Sequence, residues 1–269
     1  MKYYRYEDSL DRKEAVFLPH SEVCGDFGDF SAYSAVLSLL SQGDMRYGDP
    51  AAMARRKEFY AQRRIDPARV YSPPLKHTRN VAVLRGLPDS IAWRQSLEDS
   101  GGADGVVADG REEVGRGLAV TVADCMPIWL FDRRFSAYGI LHSGWKGTGI
   151  LSLAVDRMRK EFGCSKDDIL AILGPSIGSC CYMVDAERAA VFSAEFGESS
   201  IAERPGEGEV YLDLRKANLG IAERIGLGAV LDIDLCTACA SSLGSFRRQG
   251  SQAFTRMLAL AASGLPNFK

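Results

Sequence analysis

The stretch spanning residues 117–162 constrains this chain more than any other. Two apolar runs, 128–131 and 137–141, flank the short charged segment 132–135, the pattern of two strands joined by a tight turn. A third apolar run ends at Val122, and Ala123-Asp124-Cys125 leaves it. The second strand of the pair runs into His142 and then into Ser143-Gly144-Trp145-Lys146-Gly147-Thr148-Gly149. Beyond that loop, Leu151, Ala154, Met158 and Phe162 recur at helical spacing, while Asp156, Arg157, Arg159, Lys160 and Glu161 fill the opposite face. Gly163 follows as a helix stop.

Cys125 and His142 thus stand at the ends of neighbouring strands. A thiol and an imidazole at one sheet edge can share a metal or a proton. They can equally be a buried thiol and a satisfied core histidine, since free Cys is a common core residue. The loop after His142, with glycine at 144, 147 and 149, is more typical of a site than of a core. The chain has only three histidines, and a second, His77, follows Pro73 and Pro74 in an extended segment.

Further along, 169–173 reads as a strand leading into Gly174-Pro175-Ser176-Ile177-Gly178-Ser179-Cys180-Cys181-Tyr182. Cys180 and Cys181, adjacent in the chain, are ill placed to pair with each other and read as small packed thiols. Cys236-Thr237-Ala238-Cys239 is a CxxC, open to half of a zinc site, with Cys180 and Cys181 as the remaining ligands, or to a redox pair. Ser245-Phe246-Arg247-Arg248 places two cations near the end. Asp49-Pro50, Asp185 and Asp213 are expected helix starts, the helices running to about Gln62, to Phe192, and through Leu214, Ala217, Ile221 and Ile225. Residues 15–18 and 103–107 read as strands, 91–98 as helix or loop, and 203–209 as an acidic surface loop.

ADCMP, HSGWKG, GPSIGSCCY and CTAC…SFRR, in this order, resemble the motifs of the multicopper polyphenol oxidase (laccase-domain, YfiH-like) family over roughly residues 70–257. The chain departs from that pattern near His20 and Cys24-Gly25, at Leu75 and Thr78 around His77, and at Lys146, where the family has Arg. The resemblance implies one domain over 1–269, a layered sandwich with mixed sheets inside and helices outside, and His77, Cys125 and His142 as catalytic metal ligands. It accounts for the CxxC without a redox or metal role. Two functions are implied: a copper-dependent, laccase-like oxidation of polyphenols, or a zinc-dependent purine nucleoside enzyme. The latter covers phosphorolysis of adenosine, inosine and methylthioadenosine, and adenosine deamination. A divergent paralogue acting as a cell-wall-precursor hydrolase or a weakly active metal-binding protein is a third reading.

The residues themselves favour zinc over copper. A cluster of several coppers needs many histidines, largely as H-x-H pairs, and three histidines without one H-x-H do not supply them. Two imidazoles and one thiolate leave a zinc ion one open position, the catalytic arrangement. Amides of Gly144 and Gly147 at a helix start, Lys146, and Arg247 are the expected phosphate holders. The short strands mixed with at least four helices indicate an α+β or mixed α/β fold. GWKGTG lacks the Walker spacing, and no dinucleotide fingerprint is present. A net charge of −2 with mixed signs gives no nucleic-acid or membrane surface. Seven cysteines, an odd number, and no apolar leader segment suggest a reduced, cytoplasmic chain. A monomer or homodimer acting on a small molecule is the expected assembly.

Overall fold

The computed structural model describes residues 1–6, 15–16, 24–111, 115–203 and 208–263. His20, residues 17–18 of the first short strand and 204–207 of the acidic loop lie outside the described residues. In chain order the first strands are β1 (Lys2–Tyr6), β2 (Ala15–Val16), β3 (Tyr33–Leu37), β4 (Val70–Tyr71), β5 (Val81–Leu84), β6 (Gly105–Asp109), β7 (Gly117–Val122) and β8 (Met126–Asp132). They are followed by β9 (Ala137–Ser143), β10 (Ile169–Leu173), β11 (Met183–Val184), β12 (Ile201–Glu203), β13 (Val210–Leu212), β14 (Ala229–Ile233) and β15 (Met257–Ser263). The helices are α1 (Pro50–Ala61), α2 (Ser90–Asp99), α3 (Ile150–Phe162), α4 (Ala186–Phe196), α5 (Leu214–Ile225) and the single turn α6 (Phe246–Gln249).

Seven strands form one sheet in the order β1-β14-β10-β8-β9-β6-β5, and five form a second in the order β2-β3-β15-β7-β4. A small third sheet joins β11, β13 and β12. The expected strand pair is the antiparallel β8–β9 hairpin. Its turn is tied by Asp132, whose carboxylate accepts from the N–H groups of Arg134 and Ser136.

Side-chain alternation explains the layering. Successive residues of a strand point to opposite faces, so a strand buried on both sides is apolar throughout. In β8, Trp129 and Phe131 face the five-stranded sheet, where they meet Leu118 and Val120 of β7 and Ala259 and Ala261 of β15. Ile128 and Leu130 face outward onto Leu151, Ala154, Met158 and Phe162 of α3 and onto Leu214 and Ile221 of α5. The outer face of the second sheet, with Val36, Ala119, Leu258 and Leu260, is covered by Phe59 and Tyr60 of α1. The result is a four-layer α+β sandwich with mixed sheets inside and helices outside, as the resemblance implied. Trp129 also spans the sandwich chemically, its indole N–H donating to Leu260 O at 2.8 Å.

The helix starts follow the capping residues. Side chains of Asp49, Asp185 and Asp213 accept from the N–H groups of Ala52, Arg188 and Lys216. Gly163 ends α3 in the left-handed region. α4 runs one turn past the expected Phe192, because Phe196 falls on the same buried face before Gly197 stops the helix. Residues 91–98 form α2, capped by Asp89; the helix buries no residue fully, which is why its apolar period was faint. No helix among the described residues is long and apolar enough to cross a membrane.

Candidate metal centre and substrate cavity

β9 pairs with β8 so that His142 lies opposite Pro127, two residues after Cys125. Between β7 and β8 the chain reverses through Asp124, a non-glycine residue at φ 83°. Its unfavourable backbone is held from three sides. Thr237 Oγ1 donates to Asp124 Oδ1 at 2.6 Å, the Arg247 N–H donates to Oδ2 at 2.7 Å, and the Ile177 N–H donates to its carbonyl at 2.9 Å. Cys125 is thereby presented at the sheet edge beside His142.

His77 comes from the loop before β5 and is also left-handed, at φ 56°. Asp104, fully buried in front of β6, organises this loop. Its carboxylate accepts the N–H groups of Lys76, His77 and Thr78, and the Thr78 hydroxyl, at 2.7–3.2 Å. The same carboxylate lies 3.0 Å from His142 Nδ1. An acceptor there requires the proton on Nδ1 and leaves Nε2 for the centre, the usual arrangement behind a metal-bound histidine. The donor atoms of His77, Cys125 and His142 all lie within 4.8 Å of one another. Two imidazoles and a thiol at this spacing, with a carboxylate behind one imidazole, fit a transition-metal ion.

The glycine loop is shaped by this convergence. A Cβ on Gly144 would sit 2.7 Å from Cys125 Sγ, so only glycine fits there without displacing the thiol. Burial opposes a thiolate at Cys125, but the charge and hydrogen bonds of His142 and His77 outweigh it and bring the thiol down to about 6. Burial likewise opposes charge on His142, which the Cys125 thiolate and Asp104 raise to about 10. At Asp104 burial favours the neutral acid, yet His142 and Thr78 hold the carboxyl below its ordinary range.

A cavity of about 560 Å³ opens onto the three donors. Trp145, Tyr182, Phe246 and Phe254 supply its aromatic wall, and Arg188, Arg247 and Arg256 its charge. Arg188 stands over the Trp145 ring at 4.8 Å. Burial pushes the Tyr182 phenol up to about 12, so its hydroxyl keeps its proton at neutral pH. A smaller recess of about 260 Å³ shares His77, Cys125 and Trp145 and adds Gly144 and Lys146.

The expected phosphate holders divide. Lys146 and Gly144 line the small recess. Gly147 instead packs against the carbonyls of His142 and Thr78. Arg247 lines the large cavity while donating to the carbonyls of Cys181 and Met183 at 3.1 and 3.0 Å. The Thr148 amide is committed to Gly144 O, and the Arg79 guanidinium covers Gly149 while pairing with Glu195. Asp104, Asp124, Tyr182 and Arg188 were not singled out in the sequence. A carboxylate directly before an apolar strand was the one available signal, at Asp104. The reading of Cys180 and Cys181 as packed thiols holds for Cys181, which packs against the apolar cluster of α3 and α5, and fails for Cys180. Cys180 is exposed, Cys181 is half-buried, and both meet Cys236 and Cys239 within 4.8 Å.

Residues 34–263 match the family model described as multi-copper polyphenol oxidoreductase laccase. The mouse protein named purine nucleoside phosphorylase LACC1 is 33% identical over 199 residues, covering 67% of this chain and 45% of that protein. A protein from an unidentified prokaryote, named adenosine deaminase RL5, is 34% identical over 139 residues, covering 49% of this chain and 53% of its own length. The chain thus spans about half the length of these curated relatives. The crystal structure of Bacillus licheniformis YfiH, a hypothetical protein, superimposes with a TM-score of 0.76 at 24% identity, covering 95% of this chain and 98% of that one. With the fold, the ordered motifs and a match over most of its length in agreement, this chain belongs to the multi-copper polyphenol oxidoreductase laccase family.

Proposed function

We propose that the chain is a zinc-dependent purine nucleoside enzyme whose main reaction is phosphorolysis of the glycosidic bond. One observation carries this reading: three ligand-type donors open onto an aromatic, arginine-bearing cavity, and two of them, His77 and Cys125, also line a recess with a single lysine. The aromatic wall suits a planar base, and Lys146 suits an inorganic phosphate close to the centre. Relatives named purine nucleoside phosphorylase and adenosine deaminase support the same substrate class.

His77, Cys125 and His142 would hold the ion, which when bound acts as a Lewis acid and lowers the pKa of bound water to about 7. Asp104 fixes the His142 ring and, through backbone N–H groups, the His77 loop. Trp145 and Tyr182 flank the base, and the protonated Tyr182 hydroxyl offers it a hydrogen bond. Lys146 draws phosphate toward the ribose, where an oxygen of phosphate bonds to C1′ as the bond to the base breaks. The base leaves with the electron pair and takes up the proton carried in by the hydrogen phosphate.

Adenosine deamination at the same centre is the second reading, supported by the deaminase-named relative. Purified protein incubated with adenosine, inosine and methylthioadenosine, with and without phosphate, tests both. Phosphate-dependent base release is expected; ammonia release without base would favour deamination. Polyphenol oxidation with several coppers per chain would overturn both, a result for which three histidines give little support. A nucleoside screen negative throughout would leave the paralogue readings.

A further inference from the structure

Away from the His77–Cys125–His142 centre, we propose a second metal site: one zinc ion held by Cys180, Cys181, Cys236 and Cys239, clamping the loop that carries Ile177 and Tyr182 of the cavity wall to the CxxC loop. The sulfurs of all four lie within 4.8 Å of one another. Cys239 Sγ stands 3.6 Å from Cys180 Sγ and 3.5 Å from Cys181 Sγ. A zinc–sulfur bond of about 2.3 Å in a tetrahedron places neighbouring sulfurs about 3.8 Å apart. The observed separations are therefore close to tetrahedral edges. None of the four is in a disulfide, and Cys239 is nearly equidistant from two partners. A redox pair needs two thiols, whereas a closed structural zinc site needs four.

The backbone provides an independent observation. The Gly178 N–H donates to Cys236 Sγ at 3.2 Å. The Ala238 and Cys239 amides lie near that sulfur and favour its thiolate, the Cys239 N–H itself donating to Cys236 O at 3.2 Å. Burial opposes ionisation of Cys236, and these donors overcome it to bring its thiol below the ordinary value. Such N–H groups around the first sulfur of a CxxC turn favour a metal-bound thiolate. Burial and neighbouring thiols raise Cys180 and Cys181. Zinc binding would release the protons of the thiols as the four bonds form.

The site also has a structural purpose. Just before the cluster the two loops are already joined by a Ser176–Cys236 bridge and by the Thr237 N–H donating to Ser176 O at 3.0 Å. On the far side, Arg247 ties to Cys181 O, and both Thr237 and Arg247 hold Asp124, next to Cys125. A zinc ion at the four thiols would fix Tyr182 and Arg247 in the cavity wall without touching the three-donor centre.

Metal analysis of the full chain, purified under reducing conditions without chelator, separates the two sites. Two zinc ions per chain are expected in wild type, one in His142→Ala, one in Cys239→Ser and none in the double variant. In the His142→Ala background, cobalt should give the intense thiolate-to-metal absorption of a tetrathiolate site, lost on adding Cys239→Ser. If Cys239→Ser misfolds, the exposed Cys180→Ser makes the same test. Zinc content unchanged from wild type in these Cys variants overturns the proposal. So does iron in place of zinc, or a disulfide to Cys239 in the freshly purified chain. Because the readout is metal content and spectrum, the result is independent of whether the enzyme acts on purine nucleosides.

Discussion

Asp104 Oδ1 lies 3.0 Å from His142 Nδ1 while the same carboxylate takes the backbone N–H groups of His77 and Thr78. One fully buried side chain therefore sets both imidazoles of the centre. Asp104→Asn keeps the shape but loses the charge and half of the acceptor capacity. Metal affinity should fall by roughly 10- to 100-fold, read by competition with a chromophoric chelator. Asp104→Ala should in addition cost about 1–3 kcal/mol in urea unfolding, because the buried His142 ring and the partly buried donors of residues 76–78 lose their acceptor. Since the folded carboxyl titrates below its ordinary value, its contribution to the metal-free protein is present above about pH 4. It is lost as pH falls through the depressed value.

Gly144→Ala places a methyl group 2.7 Å from Cys125 Sγ, closer than the two atoms can approach. Both neighbours of that position are constrained: Cys125 by the turn at Asp124, and residue 144 by the Thr148 N–H bonded to its carbonyl. The variant should fold with a near-native circular dichroism spectrum yet lose most of the metal at the three-donor centre. Retention of full metal at that centre would show that the loop can shift without cost.

Cys125 should be protected from alkylation while metal is bound and become reactive after chelation. In the metal-free protein its reactivity should persist down to about pH 6 and fall only below that, since the neighbouring imidazoles hold the thiolate. Peptide-resolved mass spectrometry separates it from the other cysteines. A midpoint near the ordinary thiol value of about 8.5 would mean that the histidines do not stabilise the anion.

Lys146→Ala should raise the KM for phosphate by roughly 10- to 100-fold, the magnitude of a lost charge-assisted contact of about 1.5–3 kcal/mol, with metal content unchanged. Arg188→Ala, which removes the nearer of two cations over Trp145, should act mainly on the nucleoside KM. Base release that never required phosphate would remove the basis of the first expectation and favour hydrolysis or deamination.

The legible parts of this protein are its local ones. The β8–β9 hairpin, the glycine loop, the buried stripe of α3 and the aspartate caps follow from periodicity and backbone chemistry within a few residues. Cys125 and His142 stood out by their places at strand ends, motif resemblance joined His77 to them as a ligand, and the geometry unites the three. What could not be read depends on pairing between distant segments. Asp104 reaches back 26 to 28 residues to shape the His77 loop. Arg188 reaches Trp145 only because α4 packs beside the glycine loop. Cys236 and Cys180 meet through a bridge between segments whose order in the sheet no local pattern encodes. Phosphate holders assigned by their place in the loop fared unevenly, because neighbours such as Arg79 and Glu195 already occupy that surface.

β15 lies between β3 and β7, so the middle strand of the five-stranded sheet is the last one described in the chain. Its Ala259 and Ala261 close the inner core, and its Leu258 and Leu260 anchor α1. During synthesis, β3 and β7 must therefore wait with open edges until residues 257–263 leave the ribosome. Such edges are templates for intermolecular pairing. A nascent chain halted before Met257 would carry two halves of a sheet that cannot find each other. Production of this protein is thus expected to be unusually sensitive to premature termination and to benefit from chaperones that shield strand edges.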